Sequence, residues 1–237
     1  MHSLHNQRVL VIGGSSGIGL AIAAATAEAG ASVTIASRNK EKLITVATKL
    51  SGAVQIAVLD TGDNGLLERF FEKQTAWDHV VISAAQTKTG SVRSLNLADA
   101  RAAMESKFWG AYRVARVAYI NGGGSLTLVS GFLSERPSAT AVLQGAINAA
   151  LEALSRGLAL ELAPVRVNAV SPGMIATPIW DDLPSEKRTG MFEATAAHLP
   201  VRKIGQPEDI ANAVLFLMTT TYATGSTVRV DGGGVIA

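Results

Sequence analysis

A short run of small residues, Gly13-Gly14-Ser15-Ser16-Gly17-Ile18-Gly19, stands directly after the apolar stretch Arg8 to Ile12 and directly before residues spaced like a helix. That arrangement suits a turn whose backbone N–H groups meet a pyrophosphate. Gly13 permits the sharp turn, Gly17 lets the backbone approach the phosphates, and Gly19 lets helix and strand pack closely. Ser15, Ser16 and Ile18 belong to the same turn, at the positive end of the helix. An ordinary glycine-rich turn is the alternative, and the strand before with the helix after argues against it. The second apolar stretch ends Ala36-Ser37-Arg38. A carboxylate there would accept from an adenosine ribose 2′-hydroxyl, whereas the Arg38 guanidinium, beside Ser37, suits a 2′-phosphate. NADP(H) is therefore favoured over NAD(H), the alternative being a solvated surface arginine. Asp60 ends the third stretch, placed either to accept from the adenine amino group or to cap a helix.

These groups need a sheet to carry them. Ile18, Ile22, Ala25 and Ala29 recur at helical spacing, and Gly30 stops the run. Strands are expected at Arg8 to Ile12, Ser32 to Ala36, Val54 to Leu59, His79 to Ile82, Ser125 to Val129, Val165 to Ala169 and Thr227 to Val230. Between them, helices are expected at Lys40 to Leu50, Asn64 to Gln74, Asp99 to Tyr119, Ala139 to Leu162 and Pro207 to Met218. Strict alternation implies the α/β class: a doubly wound (Rossmann) sheet of seven parallel strands with helices on both faces, in a single domain over 1–237. Met174 to Gln206 shows no clear strand and contains Pro178, Pro184, Pro200, Trp180, Phe192 and His198. A loop that long at the carboxyl ends of the strands is expected to be a substrate lid.

Composition narrows the function. Lys plus Arg is 21 against 19 Asp plus Glu, with the positive residues scattered, so nucleic-acid binding is not expected. Charged residues are only 17% and apolar ones 48%, as for a sheet covered on both faces. No apolar run reaches the ~18 residues of a membrane span, and Met1 to Arg8 has no signal-peptide core. Without cysteine there is neither disulfide nor thiolate, and no other metal-ligand cluster stands out. Together these point to a cytoplasmic protein whose partner is a small-molecule substrate.

The chain resembles the short-chain dehydrogenase/reductase family along essentially its whole length. Gly13, Gly17 and Gly19 match the family's glycine turn, with Ile12 where its threonine would stand. Arg166 to Thr177 (RVNAVSPGMIAT) is similar to the family's R-V-N-x-V-x-P-G-x-x-x-T segment. Gly205 to Ile210 and Val230 to Gly233 are similar to two motifs near its carboxyl end. The resemblance implies that Ile175 and Thr177 approach the nicotinamide carboxamide. It also implies that Ala84, in Ser83-Ala84-Ala85-Gln86 after the fourth strand, lies beside the cofactor. The family commonly pairs its two long helices, which implies a homodimer or homotetramer, although apolar helix faces suit a monomer core equally.

The positions that carry the family's chemistry depart from its pattern. Its serine, tyrosine, lysine and asparagine fall on Gly131, Gln144, Asn148 and Lys107, so asparagine and lysine look exchanged between two helices. Gln144 can donate a hydrogen bond but cannot release a proton near neutral pH. Lys107 is the candidate proton carrier, since burial beside a cofactor depresses an ammonium; an exposed or salt-bridged lysine is the alternative. Ser130 is expected to offer a hydroxyl to a substrate oxygen, while Gln144 and Asn148 share a helix face as a site wall. Tyr112 should not share the face of Lys107, His198 is a lone lid histidine, and Glu135 and Arg136 are either substrate contacts or solvated loop charges. Trp180, Phe192, Met174, Met191 and Leu183 make either an apolar pocket or simply the packing of the lid. An NADP(H)-dependent oxidoreductase acting on a carbonyl or alcohol follows. A non-catalytic NADP(H)-binding sensor or subunit is the alternative, with a lyase or isomerase behind it.

Overall fold

Strand β1 (Arg8–Ile12) divides the interior. Side chains alternate along a strand, so Val9 and Val11 enter one buried cluster while Leu10 and Ile12 enter another on the opposite face. The first cluster is closed by helices α1 (Gly17–Glu28), α2 (Lys40–Ala47) and α8 (Pro207–Thr219), through Ile22, Leu43, Val46, Ile210, Val214 and Leu217. The second is closed by α3 (Asn64–Glu72), α5 (Gly110–Val117) and α6 (Val142–Glu161), through Leu67, Phe71, Val114, Leu151 and Leu158. The computed structural model describes residues 3–237; Met1 and His2, part of the segment read for a signal peptide, lie outside them.

The remaining strands are β2 (Ser32–Ser37), β3 (Gln55–Val58), β4 (Trp77–Ile82), β5 (Ile120–Val129), β6 (Arg166–Pro172) and β7 (Thr227–Val230). All seven run parallel in the order β3-β2-β1-β4-β5-β6-β7. The chain winds outward from β1 in both directions, so the crevice between β1 and β4 lies at the switch point where such sheets bind ligands. Among the described residues no helix is long and apolar enough to cross a membrane.

Several expected boundaries move. β5 begins at Ile120 rather than Ser125, and β6 continues to Pro172 rather than stopping at Ala169. The single helix expected at Asp99 to Tyr119 is α4 (Leu97–Met104), a π-helical turn at Glu105–Trp109, and α5. The stretch 174–206 is not a plain loop: it holds a 3-10 turn, Pro178–Trp180, and a 14-residue helix, α7 (Ser185–His198). Trp180 meets Phe192 edge to face with centroids 6.5 Å apart, and Trp180 Nε1 donates to the Ile175 carbonyl at 2.9 Å. These aromatics therefore tie the segment to itself.

Candidate active site

The crevice opens on the glycine turn. Gly13 has φ +93°, and a Cβ on it would stand 2.6 Å from the Ala84 nitrogen, so the turn and the segment after β4 touch backbone to backbone. Side chains cap α2, α3 and α4, with Asn39, Asp63 and Asn96 accepting from first-turn amides. By contrast Ser16 gives α1 no side-chain cap, and its first turn holds no acidic residue. Those amides are the donors that a pyrophosphate would meet. At Gly17, φ +52°, the space of a Cβ borders Thr177 Cβ and Cγ2 at 3.3 Å. The segment after β6 thus comes down on the turn at this glycine. Ser15 and Ile18 are half-buried in the same loop, and Ile175 is buried.

On the other side of the turn, Arg38 is exposed directly after β2 and Nη2 donates to Gln86 Oε1 at 3.0 Å. The Ser37 hydroxyl makes a long 3.5 Å contact to the Asn39 carbonyl. Asp60 Oδ1 accepts from the Gly62 N–H at 2.9 Å, and the helix cap is Asp63 instead. The capping alternative for Asp60 is thereby corrected. The aspartate holds its own turn at the edge of the crevice.

The chemistry-bearing groups gather where β5 ends. Lys107, 8% exposed, lies at the centre of the π turn, and its ammonium donates to the Ser130 carbonyl at 2.7 Å and to Asn148 Oδ1 at 2.6 Å. Burial pushes it down from 10.5 to about 8, and the negative charge of Glu152 partly opposes that fall. Two of the three ammonium donors are engaged, which leaves one to offer. Ser130 corrects the expectation made for it: its hydroxyl donates inward to Glu152 Oε1 at 2.9 Å and to the Val170 carbonyl at 3.2 Å. It supports Lys107 through its carbonyl. Ser134 Oγ donates to the same Glu152 oxygen at 2.7 Å.

Asn148 packs against Gly131, φ +155°, where a Cβ would stand 2.8 Å from Asn148 Nδ2. Only glycine leaves room for the amide there. One turn earlier on α6, Gln144 Oε1 is buried with no hydrogen-bond partner among the described residues. The sequence reading missed Glu152. The signal was there: Gln144, Asn148 and Glu152 recur at i, i+4 and i+8 on the side of α6 that also buries Ile147 and Leu151.

A model of the family described as enoyl-(acyl carrier protein) reductase matches residues 13–234. The short-chain dehydrogenase/reductase ATR9 of Stachybotrys chlorohalonatus is 34% identical, with 100% of both chains covered. The chain belongs to the short-chain dehydrogenase/reductase family. Among solved members, a small-chain dehydrogenase in complex with NADPH is 35% identical, with TM-score 0.82 over 98% of this chain and 100% of that one. The MalC reductase/Diels-Alderase of Malbranchea aurantiaca is 28% identical, with TM-score 0.91 over 99% and 98%.

Other residues of this short-chain dehydrogenase/reductase singled out in the sequence fall outside the cluster. Tyr112, Tyr119 and Tyr222 are 44%, 68% and 101% exposed, whereas Lys107 is buried. His198 Nδ1 pairs with the Ala194 carbonyl one turn back on an exposed face. Glu135 pairs with Arg229, and Arg136 donates to the Gly234 carbonyl. The loop charges are thus tied to the carboxyl-terminal segment. Arg166 and Asn168 of the RVN segment hold the fold together: Arg166 donates to the Leu217 and Met218 carbonyls at the end of α8, and Asn168 clamps the Ala223 and Ser226 backbone. Their role is structural.

Proposed function

We propose that this oxidoreductase uses NADP(H) on a carbonyl or alcohol substrate without the family's serine-tyrosine-lysine set, with Lys107 as the proton carrier. The observation that carries this reading is the buried Lys107 ammonium, held by Asn148 and Ser130 at the carboxyl end of β5. The uncapped α1 and the arginine after β2 fit a dinucleotide with a 2′-phosphate, and the NADPH held by a 35% identical neighbour supports the same choice. When bound, NADPH supplies hydride. Lys107 Nζ directs its third N–H at the substrate oxygen and passes it a proton as charge develops there. Asn148 fixes the direction of that ammonium, and Glu152, gripping Ser130 and Ser134, fixes the carbonyl on its other side. Gln144 Oε1 accepts from a ligand donor, and the lid excludes water.

Titration of protein fluorescence with NADPH and NADH, followed by carbonyl substrates at 340 nm, tests the reading. Oxidation of NADPH by any of them, lost in Lys107→Ala with cofactor binding retained, is the expected result. The exposure of every tyrosine favours a second reading, a non-catalytic NADP(H)-binding protein. Tight NADPH binding with no turnover across a broad panel would select it, and unchanged turnover in Lys107→Ala would remove Lys107 from the mechanism. Self-association as a homodimer or homotetramer completes the proposal, supported by the exposed Trp109 and Tyr112 beside the π turn and Leu160 on α6. Light scattering should give a mass of two or four chains, and a monomer would refute it.

A further inference from the structure

The strand order places β1 between β2 and β4, so residues that follow β2 and β4 flank the glycine turn from opposite sides. Arg38 and Gln86 do so, and the hydrogen bond between them spans two strand separations, about 10 Å. It therefore arches over the carboxyl end of β1. Each end of this clasp is anchored. The Gln86 N–H donates to Ser106 Oγ at 2.8 Å, in the π turn beside Lys107, while Asn39, next to Arg38, caps α2 by accepting from the Lys42 N–H at 2.8 Å. No carboxylate pairs with Arg38 among the described residues.

We infer that Gln86 is a specificity-determining residue for a 2′-phosphorylated adenosine, because it holds the Arg38 guanidinium over the mouth of the glycine turn without neutralising it. This rests on the NADP(H) reading given above. An exposed arginine on its own samples many rotamers and must be ordered when an anion binds, which weakens binding. A neutral amide acceptor removes part of that cost, and one donor given to Gln86 leaves four of the five guanidinium N–H groups for the phosphate. A carboxylate at the same place would order the arginine equally well but cancel its charge and repel the ligand. The amide is the side chain that does one without the other. Gln86 is exposed and its bond to Ser106 uses only backbone, so substitution leaves the fold intact.

The test compares Kd values for NADPH and NADH, and for adenosine 2′,5′-bisphosphate and adenosine 5′-monophosphate, in the unaltered chain, Gln86→Ala and Gln86→Glu. In Gln86→Ala the two 2′-phosphorylated ligands should weaken about fivefold, with the other two unchanged. In Gln86→Glu they should weaken by about tenfold or more. If the unaltered chain prefers NADPH and both variants keep that preference, the role of Gln86 is overturned while the cofactor reading stands. An equal loss for all four ligands overturns it too, because the residue then acts on the whole crevice. If the unaltered chain binds NADPH and NADH alike, the cofactor reading fails and takes this inference with it.

Discussion

Two buried titratable side chains of this protein are held away from their usual ionisation, and each gives a pH-dependent readout. Lys107 is pushed down to about 8 by burial, so the general acid proposed there is competent while protonated. Carbonyl reduction should hold below about pH 8 and fall above it, and alcohol oxidation should do the reverse. In Lys107→Ala this limb should vanish, with turnover lower by ~10²–10⁴-fold, as stopped-flow rates across pH would show. His79 lies at the opposite end of the sheet, joined to Ser125 Oγ at 2.7 Å and Gln7 Oε1 at 2.8 Å. Burial, then the charge of Arg166, lowers it from 6.5 to about 4, while Asp78 acts the other way. The unfolded chain takes up this proton near pH 6.5 and the folded chain resists it until about 4. Stability should therefore fall as pH drops through that window, by about 3 kcal/mol. Urea melts of His79→Gln should show a shallower fall, and an identical fall would remove His79 as its source.

At the scale of the elements, the π turn does the positioning around Lys107. A π turn adds a residue to a helical turn and re-aims the side chains beyond it, which here directs Lys107 inward while Tyr112 stays exposed. Nothing in the local sequence marks that turn, because its position is decided by the bonds Lys107 makes to Ser130 and Asn148. α7 is the contrasting case. It buries no residue, whereas α8 buries Ile210, Ala211, Val214, Leu217 and Met218. Amide exchange is fastest where buried apolar contact is least, so α7 should lose its deuterium protection well before α8. Equal protection of the two helices in a mass-spectrometric time course would mean that the segment is no movable lid.

For the whole molecule, cofactor binding and folding are linked, since the glycine turn, the end of β2 and the segment after β4 meet only in the assembled sheet. NADPH at about 100 times its Kd should stabilise the chain by about 2.7 kcal/mol, and NADH at the same concentration by less. A thermal melt with each nucleotide checks this; equal shifts would argue against the 2′-phosphate preference. The alternation of apolar runs and helical stripes, the glycine turn and the arginine after β2 were legible in the sequence because each is a local pattern within a few residues. The extent of β5 was less so, since Asn121 to Gly124 carry no strand-forming side chains and bulge between the pairings Trp77 with Ile120 and His79 with Ser125. The cluster around Lys107 was legible only in part. Lys107 comes from the π turn, Ser130 follows β5, and Asn148 and Glu152 stand on α6, and the bonded pairs lie 22 to 41 residues apart. The sequence by itself determined a doubly wound sheet and the glycine turn at its switch point, because periodicity and turn chemistry are written into neighbouring residues. Only the tertiary structure decided that Lys107 is buried against Asn148, that Ser130 turns its hydroxyl to Glu152, and that Gln86 reaches Arg38, because burial and long-range hydrogen bonds exist only once the strands are ordered side by side.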